Sequence, residues 1–215
     1  MNDKILRQSI VDELDFEPSI DAANIGVAVD NGIVTLTGHV GSYTERLAAE
    51  KAARKVRGVR GVVEEIKVRF AGEAPPRDED LARRAVQMLD WSVSVPPNAI
   101  QVKVQDGWVT LTGEVAWQYQ KEEAQAALKR LSGVAGIINM IEVKPAASAT
   151  DVRAKIEAAL KRNAEVEADA IKVTVKDAKV TLEGKVHAWH ERNLVENAAW
   201  SAPGVRSVVD HLTLT

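Results

Sequence analysis

The chain is expected to be an α+β protein made of three tandem αββαβ units, each with two helices packed on one face of a mixed three-stranded sheet. Three observations point there. The stretch Val109-Thr110-Leu111-Thr112-Gly113 recurs as Val34-Thr35-Leu36-Thr37-Gly38 and as Val180-Thr181-Leu182-Glu183-Gly184. Each copy follows an alternating apolar stretch, at Ile25 to Val29, Ile100 to Val104 and Ile171 to Val175. Each is followed by a Gly-Val pair starting at Gly58, Gly133 or Gly204, always 20 residues past the anchor glycine. Self-similarity at fixed spacing marks repeated folded units. The 215 residues divide on that basis into units at 1–70, 77–144 and 149–215.

Each unit opens with a helical stripe. Leu6, Ile10 and Leu14 share one face, as do Leu81, Ala85 and Leu89, and Val152, Ile156 and Leu160, because residues three or four apart stack on one side of a helix. Asp80 and Asp151 stand near the starts of their helices, where the dipole favours carboxylates. Loops with Pro18, Pro96 and Pro97 end the first two helices, and 162–165 fills that place in the third unit.

The period then falls to two, the signature of strands with one buried face. Asn31-Gly32 and Asp106-Gly107 supply the positive φ of a tight hairpin. The third turn, Asp177-Ala178-Lys179, lacks glycine, so a different turn type is expected there. A second helix follows, with an inward stripe of Ala49, Ala52, Ala53 and Val56. The equivalents are Ala124, Ala127, Leu128 and Leu131, then Val195, Ala198, Ala199 and Ala202. These helices are expected to stop at Gly58, Gly133 and Gly204. A last alternating strand carries Ile66 and Val68, Ile141 and Val143, or Leu212 and Leu214. Its crossover connection makes it parallel to the second strand, whereas the first and second form an antiparallel hairpin. The linkers, 71–76 and 145–148, are short enough to suggest packed neighbours.

Composition narrows the function. With 28 basic and 31 acidic residues the net charge is −3. The split is 10 against 11 over residues 1–72, 8 against 10 over 73–146 and 10 against 10 over 147–215, so no unit has the basic excess of a nucleic-acid binder. Without cysteine there is no disulfide, thiolate metal site or cysteine nucleophile. No uncharged apolar run reaches the roughly 18 residues of a membrane span. The first residues lack the apolar core of a secretory signal. A cytoplasmic location is expected from that, or a periplasmic one if a signal has been removed.

The order helix, Ile-x-Val-x-Val, turn, Val-Thr-Leu-x-Gly-x-Val, helix and Gly-Val-x-x-Val resembles the BON domain, named for bacterial OsmY and nodulation proteins. Asn139 falls at a position often Asn in that family. The resemblance covers nearly the whole chain and implies a non-enzymatic bacterial module linked to the envelope and osmotic stress. It also implies peripheral binding of anionic phospholipid or another hydrophobic ligand, with no cofactor. The other reading left open is a soluble scaffold or protein-interaction module that self-associates or binds a protein partner.

Candidate contacts come from the residues themselves. Trp200 sits off the inward stripe, where a neighbouring unit or a lipid could cover it. Trp117 and Tyr119 begin the second helix of unit two, and Trp189 that of unit three, as an interfacial belt or as staples fixing helix entry. Trp108, beside a turn, is expected at the surface or between units. Trp91 matches Phe16 and is expected in or near the core. Lys51, Arg54 and Lys55, with Arg57 and Arg60 beyond them, gather positive charge at a helix end. That charge suits anionic headgroups or, alternatively, the helix dipole and a pairing with Glu50. His187 and His190, beside Glu191, fall short of the three converging ligands a metal needs. Gly58-Val-Arg-Gly61 mimics a nucleic-acid-binding GXXG loop, but the third unit has Ser207 in place of the second glycine. No nucleophile elbow or phosphate-cradling loop occurs, so no enzyme is expected.

Overall fold

The computed structural model describes residues 2–69, 77–144, 148–164 and 166–214. The linker stretches 71–76 and 145–147, and Glu165 of the third loop, lie outside them. Six α-helices and three mixed sheets are present among the described residues. By contact density the chain forms two compact units, one of Met1–Met88, Val102–Thr110 and Ala127–Ile138, the other of Leu89–Gln101, Leu111–Ala126 and Asn139–Thr215.

The first repeat runs α1 (Asp3–Phe16), β1 (Ile25–Asp30), β2 (Ile33–Val40), α2 (Tyr43–Lys55) and β3 (Gly61–Val68). β1 pairs antiparallel with β2 through Val27↔Leu36, and β2 pairs parallel with β3 through Val34↔Val62. Both helices cover one face. Leu6, Ile10 and Leu14 of α1 and Ala49, Ala52 and Ala53 of α2 close over Val27, Val34, Leu36 and Ile66. The alanines let α2 lie close on the sheet, and each buried CH₂ of this core contributes about 0.8 kcal/mol.

The second repeat has α3 (Asp78–Asp90), β4 (Ile100–Gln105), β5 (Trp108–Val115), α4 (Gln118–Leu128), β6 (Gly136–Asn139) and β7 (Glu142–Val143). Its third strand, expected to be continuous, is broken after Asn139 and resumes at Glu142 beside β5. The third repeat returns to the pattern of the first with α5 (Ala149–Arg162), β8 (Ile171–Lys176), β9 (Lys179–Val186), α6 (Trp189–Trp200) and β10 (Ser207–Leu214). β9 again takes an antiparallel neighbour, β8, and a parallel one, β10. Its core joins Val152, Ile156 and Leu160 to Val195, Ala199 and Leu212.

The anchor glycines have a steric cause. Gly38, Gly113 and Gly184 take φ of 108°, 131° and 145°. A Cβ there would lie 2.0 to 2.1 Å from the carbonyl oxygens of Asn24, Ala99 and Ala170. No side chain fits that approach.

Two expectations need correction. The third hairpin does not change turn type: Asp177 and Ala178 adopt φ of 50° and 63°, matching Asn31 and Gly32 at 50° and 79°. Cross-strand pairing through Lys176↔Lys179 leaves a two-residue loop, and the strand twist demands both residues in the left-handed region even when one is alanine. Nor do the second helices run to their glycines. α2 ends at Lys55 with an extended cap at Val56, and Gly58 follows in a separate turn closed by Val59 N donating to the Val56 carbonyl at 3.2 Å. α4 and α6 likewise end at Leu128 and Trp200, ahead of Gly133 and Gly204.

Candidate functional site

Helix geometry divides α2 into two faces. With Ala49, Ala52 and Ala53 buried, Lys51, Arg54 and Lys55 face solvent. Arg54 Nη2 pairs with Glu50 Oε1 at 2.6 Å, the helical i,i+4 contact. Lys51 and Lys55 are exposed beside it, and a shallow recess of about 270 Å³ is lined by Leu47, Glu50, Lys51, Arg54 and Lys55.

The end of α1 approaches this surface. The Glu17 carboxyl is held below its usual range, first by the Ser19 hydroxyl that donates to it at 2.8 Å, then by the Ser19 amide, and further by the charges of Lys55 and Lys51. Phe16 is the residue before it, and its side chain is 83% exposed. Trp91, the counterpart of Phe16, is 84% exposed, so neither belongs to the core as expected for Trp91. Phe16, the last residue of α1, stands two residues beyond the inward Leu14, and two steps of 100° carry its side chain to the far side of the helix, whereas Trp91 lies in the turn just past the end of α3.

The other aromatics have separate surroundings. Trp108 is 41% exposed, and its ring carries the Arg46 guanidinium at 5.2 Å. The same guanidinium lies 5.1 Å from the Tyr43 ring. Trp117 is half-buried and leans on Tyr119 with ring centroids 6.2 Å apart. Trp189 is 65% exposed under the Arg192 guanidinium. Trp200, also half-buried, packs against the apolar core of its own repeat.

His187 lies 3.6 Å from Glu167, and no group of three or more potential ligands able to hold a metal occurs among the described residues. Gly61 opens β3, so the GXXG-like stretch runs into a strand. No described helix is long and apolar enough to cross a membrane.

Sequence reasoning missed several recurring polar devices. Glu45 Oε1 and Oε2 accept from the amides of Asp21 and Gly41, Gln120 Oε1 accepts from those of Ala116 and Trp117, and Glu191 accepts from that of His187. A side chain three residues into the helix thus satisfies amides before its start. Glu64, Asn139 and Asp210 each accept the amide two residues ahead, and Glu64 and Asp210 also meet Arg46 and Arg192 of the second helix. Asp3 and Asp78 bind the amides of the hairpin turns. The repeat spacing, 75 residues and then 71, contained all three signals.

Repeated mixed sheets, each backed by two helices on a single face, define a tandem-repeat α+β protein. The chain belongs to the BON domain family, whose profile matches residues 2–69, 77–145 and 148–215. It is similar to the osmotically-inducible protein Y of Escherichia coli (strain K12), 28% identical over 153 residues that cover 67% of this chain and 74% of that protein. Among solved structures it is compared with CdsD, a structural protein of the type III secretion system of Chlamydia trachomatis. Identity is 15%, coverage 98% of this chain and 92% of that one, and the TM-score 0.28. The PrgH periplasmic domain follows at 11% identity, 95% and 99% coverage and a TM-score of 0.24.

Proposed function

We propose that this protein is a non-enzymatic binding module of the osmotic-stress response that attaches peripherally to anionic phospholipid. The observation that carries this reading is an exposed apolar ring near exposed positive charge: Phe16 at 83% exposure, next to a carboxylate that senses the exposed Lys51 and Lys55. A bilayer interface takes up the ring, and each basic group near an anionic surface adds about 1 kcal/mol. The link to osmotic stress is transferred from the relative's name, osmotically-inducible protein Y. Bilayer attachment of this kind needs no cofactor and no spanning helix.

The test is co-sedimentation of the purified chain with phosphatidylglycerol-containing vesicles against pure phosphatidylcholine vesicles, at low and high salt. Selective pelleting that salt weakens, and that Lys51→Glu with Lys55→Glu abolishes, is the expected result. Pelleting at neither composition overturns it.

A second reading, a scaffold or protein-interaction module, is favoured by one observation. Tyr43 at the entry of α2 and Trp108 at the start of β5, drawn from different repeats of the sequence, share the Arg46 guanidinium, and on this reading such aromatics serve protein contact. It predicts salt-insensitive self-association, read by sedimentation equilibrium.

A further inference from the structure

The hairpin turns of the first two repeats are each closed by a carboxylate from the chain's own helix start. Asp3, the first residue of α1, accepts from Asn31 N at 2.8 Å through Oδ2 and from Gly32 N at 3.3 Å through Oδ1. Asp78, the first residue of α3, accepts from Asp106 N at 2.7 Å and Gly107 N at 2.9 Å. In both, two planar oxygens span two adjacent amides that a pair of left-handed residues turns the same way, the anion-holding arrangement of a backbone nest.

The third repeat keeps the receiving half and loses the donor of the carboxylate. Asp177 and Ala178 present the same turn at φ 50° and 63°, and α5 begins at the same place. Its first residue is Ala149, which offers only a methyl group. Among the described residues neither Asp177 N nor Ala178 N has an acceptor, although Ala178 O accepts from Arg206 N at 2.8 Å. These two residues border a recess of about 410 Å³ lined also by Ala149, Val152, Val175 and Arg206, among others. The corresponding recess of the first repeat, about 430 Å³, is lined by Asp3, Leu6, Asn31, Gly32 and Arg60. The two recesses are similar in size and place in the repeat; the charge within them differs.

We propose that the recess of the third repeat is a binding site for a carboxylate brought from outside that repeat, held by the Asp177 and Ala178 amides as Asp3 and Asp78 are held in the other two. The start of the 14-residue α5 adds the favourable end of its dipole. Arg206 stands at the rim, its Nε committed to the Val143 carbonyl at 2.6 Å and its Nη2 lying 3.9 Å from Glu142. The negative charges of Glu142 and Asp177 disfavour a dianion, which selects a monovalent carboxylate over phosphate. An acidic side chain beside the turn is no obstacle to a carboxylate, because Asp106 occupies that place in the second repeat while its own amide binds Asp78. The site shares no residue with the basic face of α2, and the proposal does not rest on lipid attachment.

The test is amide NMR of the full chain, titrated at constant ionic strength with acetate, with phosphate, or with a capped peptide containing one aspartate. Acetate is expected to move the Asp177 and Ala178 resonances progressively while Asn31, Gly32, Asp106 and Gly107 stay in place. Ala149→Asp fills the recess from within and abolishes the response. Asp3→Ala, leaving the third repeat untouched, transfers an acetate response to Asn31 and Gly32. A peptide acting at lower concentration than acetate assigns the site to a protein aspartate, and equal potency assigns it to a free acid. Unmoved Asp177 and Ala178 amides, an unchanged response in Ala149→Asp, or a stronger response to phosphate than to acetate each overturns the proposal.

Discussion

The Arg46 guanidinium lies 5.2 Å over the ring of Trp108, with the Tyr43 ring 5.1 Å away and Glu64 Oε2 at 3.3 Å from its Nε. Only 12% of its side chain is exposed, so charge and ring quadrupole meet with little water between them. Arg46→Ala is expected to cost about 1–2 kcal/mol, the range of a partly desolvated cation–π contact together with an ion pair. Arg46→Lys keeps the charge but loses the planar stacking, and should fall between the two. Urea unfolding midpoints of the three proteins decide it.

Ala178 occupies a backbone region that costs a residue with a Cβ roughly 1–2 kcal/mol. Ala178→Gly removes that strain at the expense of a more flexible unfolded chain, so a net gain of about 0.5–1 kcal/mol is expected. At this size that gain corresponds to about 2–4 °C per kcal/mol in Tm. A calorimetric scan showing no rise would mean that Lys176↔Lys179 pairing does not enforce the turn.

Gly113→Ala should be far more damaging. Its Cβ would sit 2.1 Å from the Ala99 carbonyl oxygen, and φ is 131°. Relief requires separating backbone that the sheet holds together, and a loss of about 3 kcal/mol or more is expected. Gly41→Ala is the control. It meets only Glu45 Oε2, at 3.5 Å, and should fold like the parent in circular dichroism melts.

Phe16→Ala tests the apolar half of the lipid reading without touching the core, because the ring is 83% exposed. Its melting temperature should match the parent, while its partitioning to anionic vesicles falls several-fold through lost ring burial. Unchanged partitioning would leave the basic residues as the whole of the attraction.

Glu17 and Glu183 carry carboxyls held below their usual range, Glu17 chiefly by the Ser19 hydroxyl and Glu183 chiefly by its hydrogen bond with Lys172. A carboxylate whose folded value is depressed stabilises the fold above its unfolded value. That contribution is lost as pH falls through the folded value. Ser19→Ala should therefore raise the Glu17 titration toward the ordinary carboxylate range and leave Glu183 unmoved; Lys172→Ala should do the reverse. Carboxyl carbon chemical shifts report both.

The order and type of the elements were legible because their signals are local and occur three times. A period of 3.6 at Leu6, Ile10 and Leu14, and a period of two at Val34 and Leu36, each identify a buried face without reference to the rest of the chain. The basic residues of α2 were legible for the same reason, since Ala49, Ala52 and Ala53 set which side faces water. The exposure of Trp91 was equally available from its position two residues past Leu89. There the apolar chemistry of the side chain outweighed its place just past the end of α3.

What the sequence by itself determined is the repeat: its spacing, its strand and helix order, its inward residues and the glycine demanded at positions 38, 113 and 184. What only the tertiary structure decided are the relationships between residues far apart in the chain. Asp3 meets the amide of Asn31 across 28 residues, and Arg46 meets the Trp108 ring across 62. Ala178 takes a left-handed conformation because its strands leave it no other. Local propensity is summed over neighbours along the chain, whereas such contacts and backbone choices are imposed by pairing partners that meet only when the sheet closes.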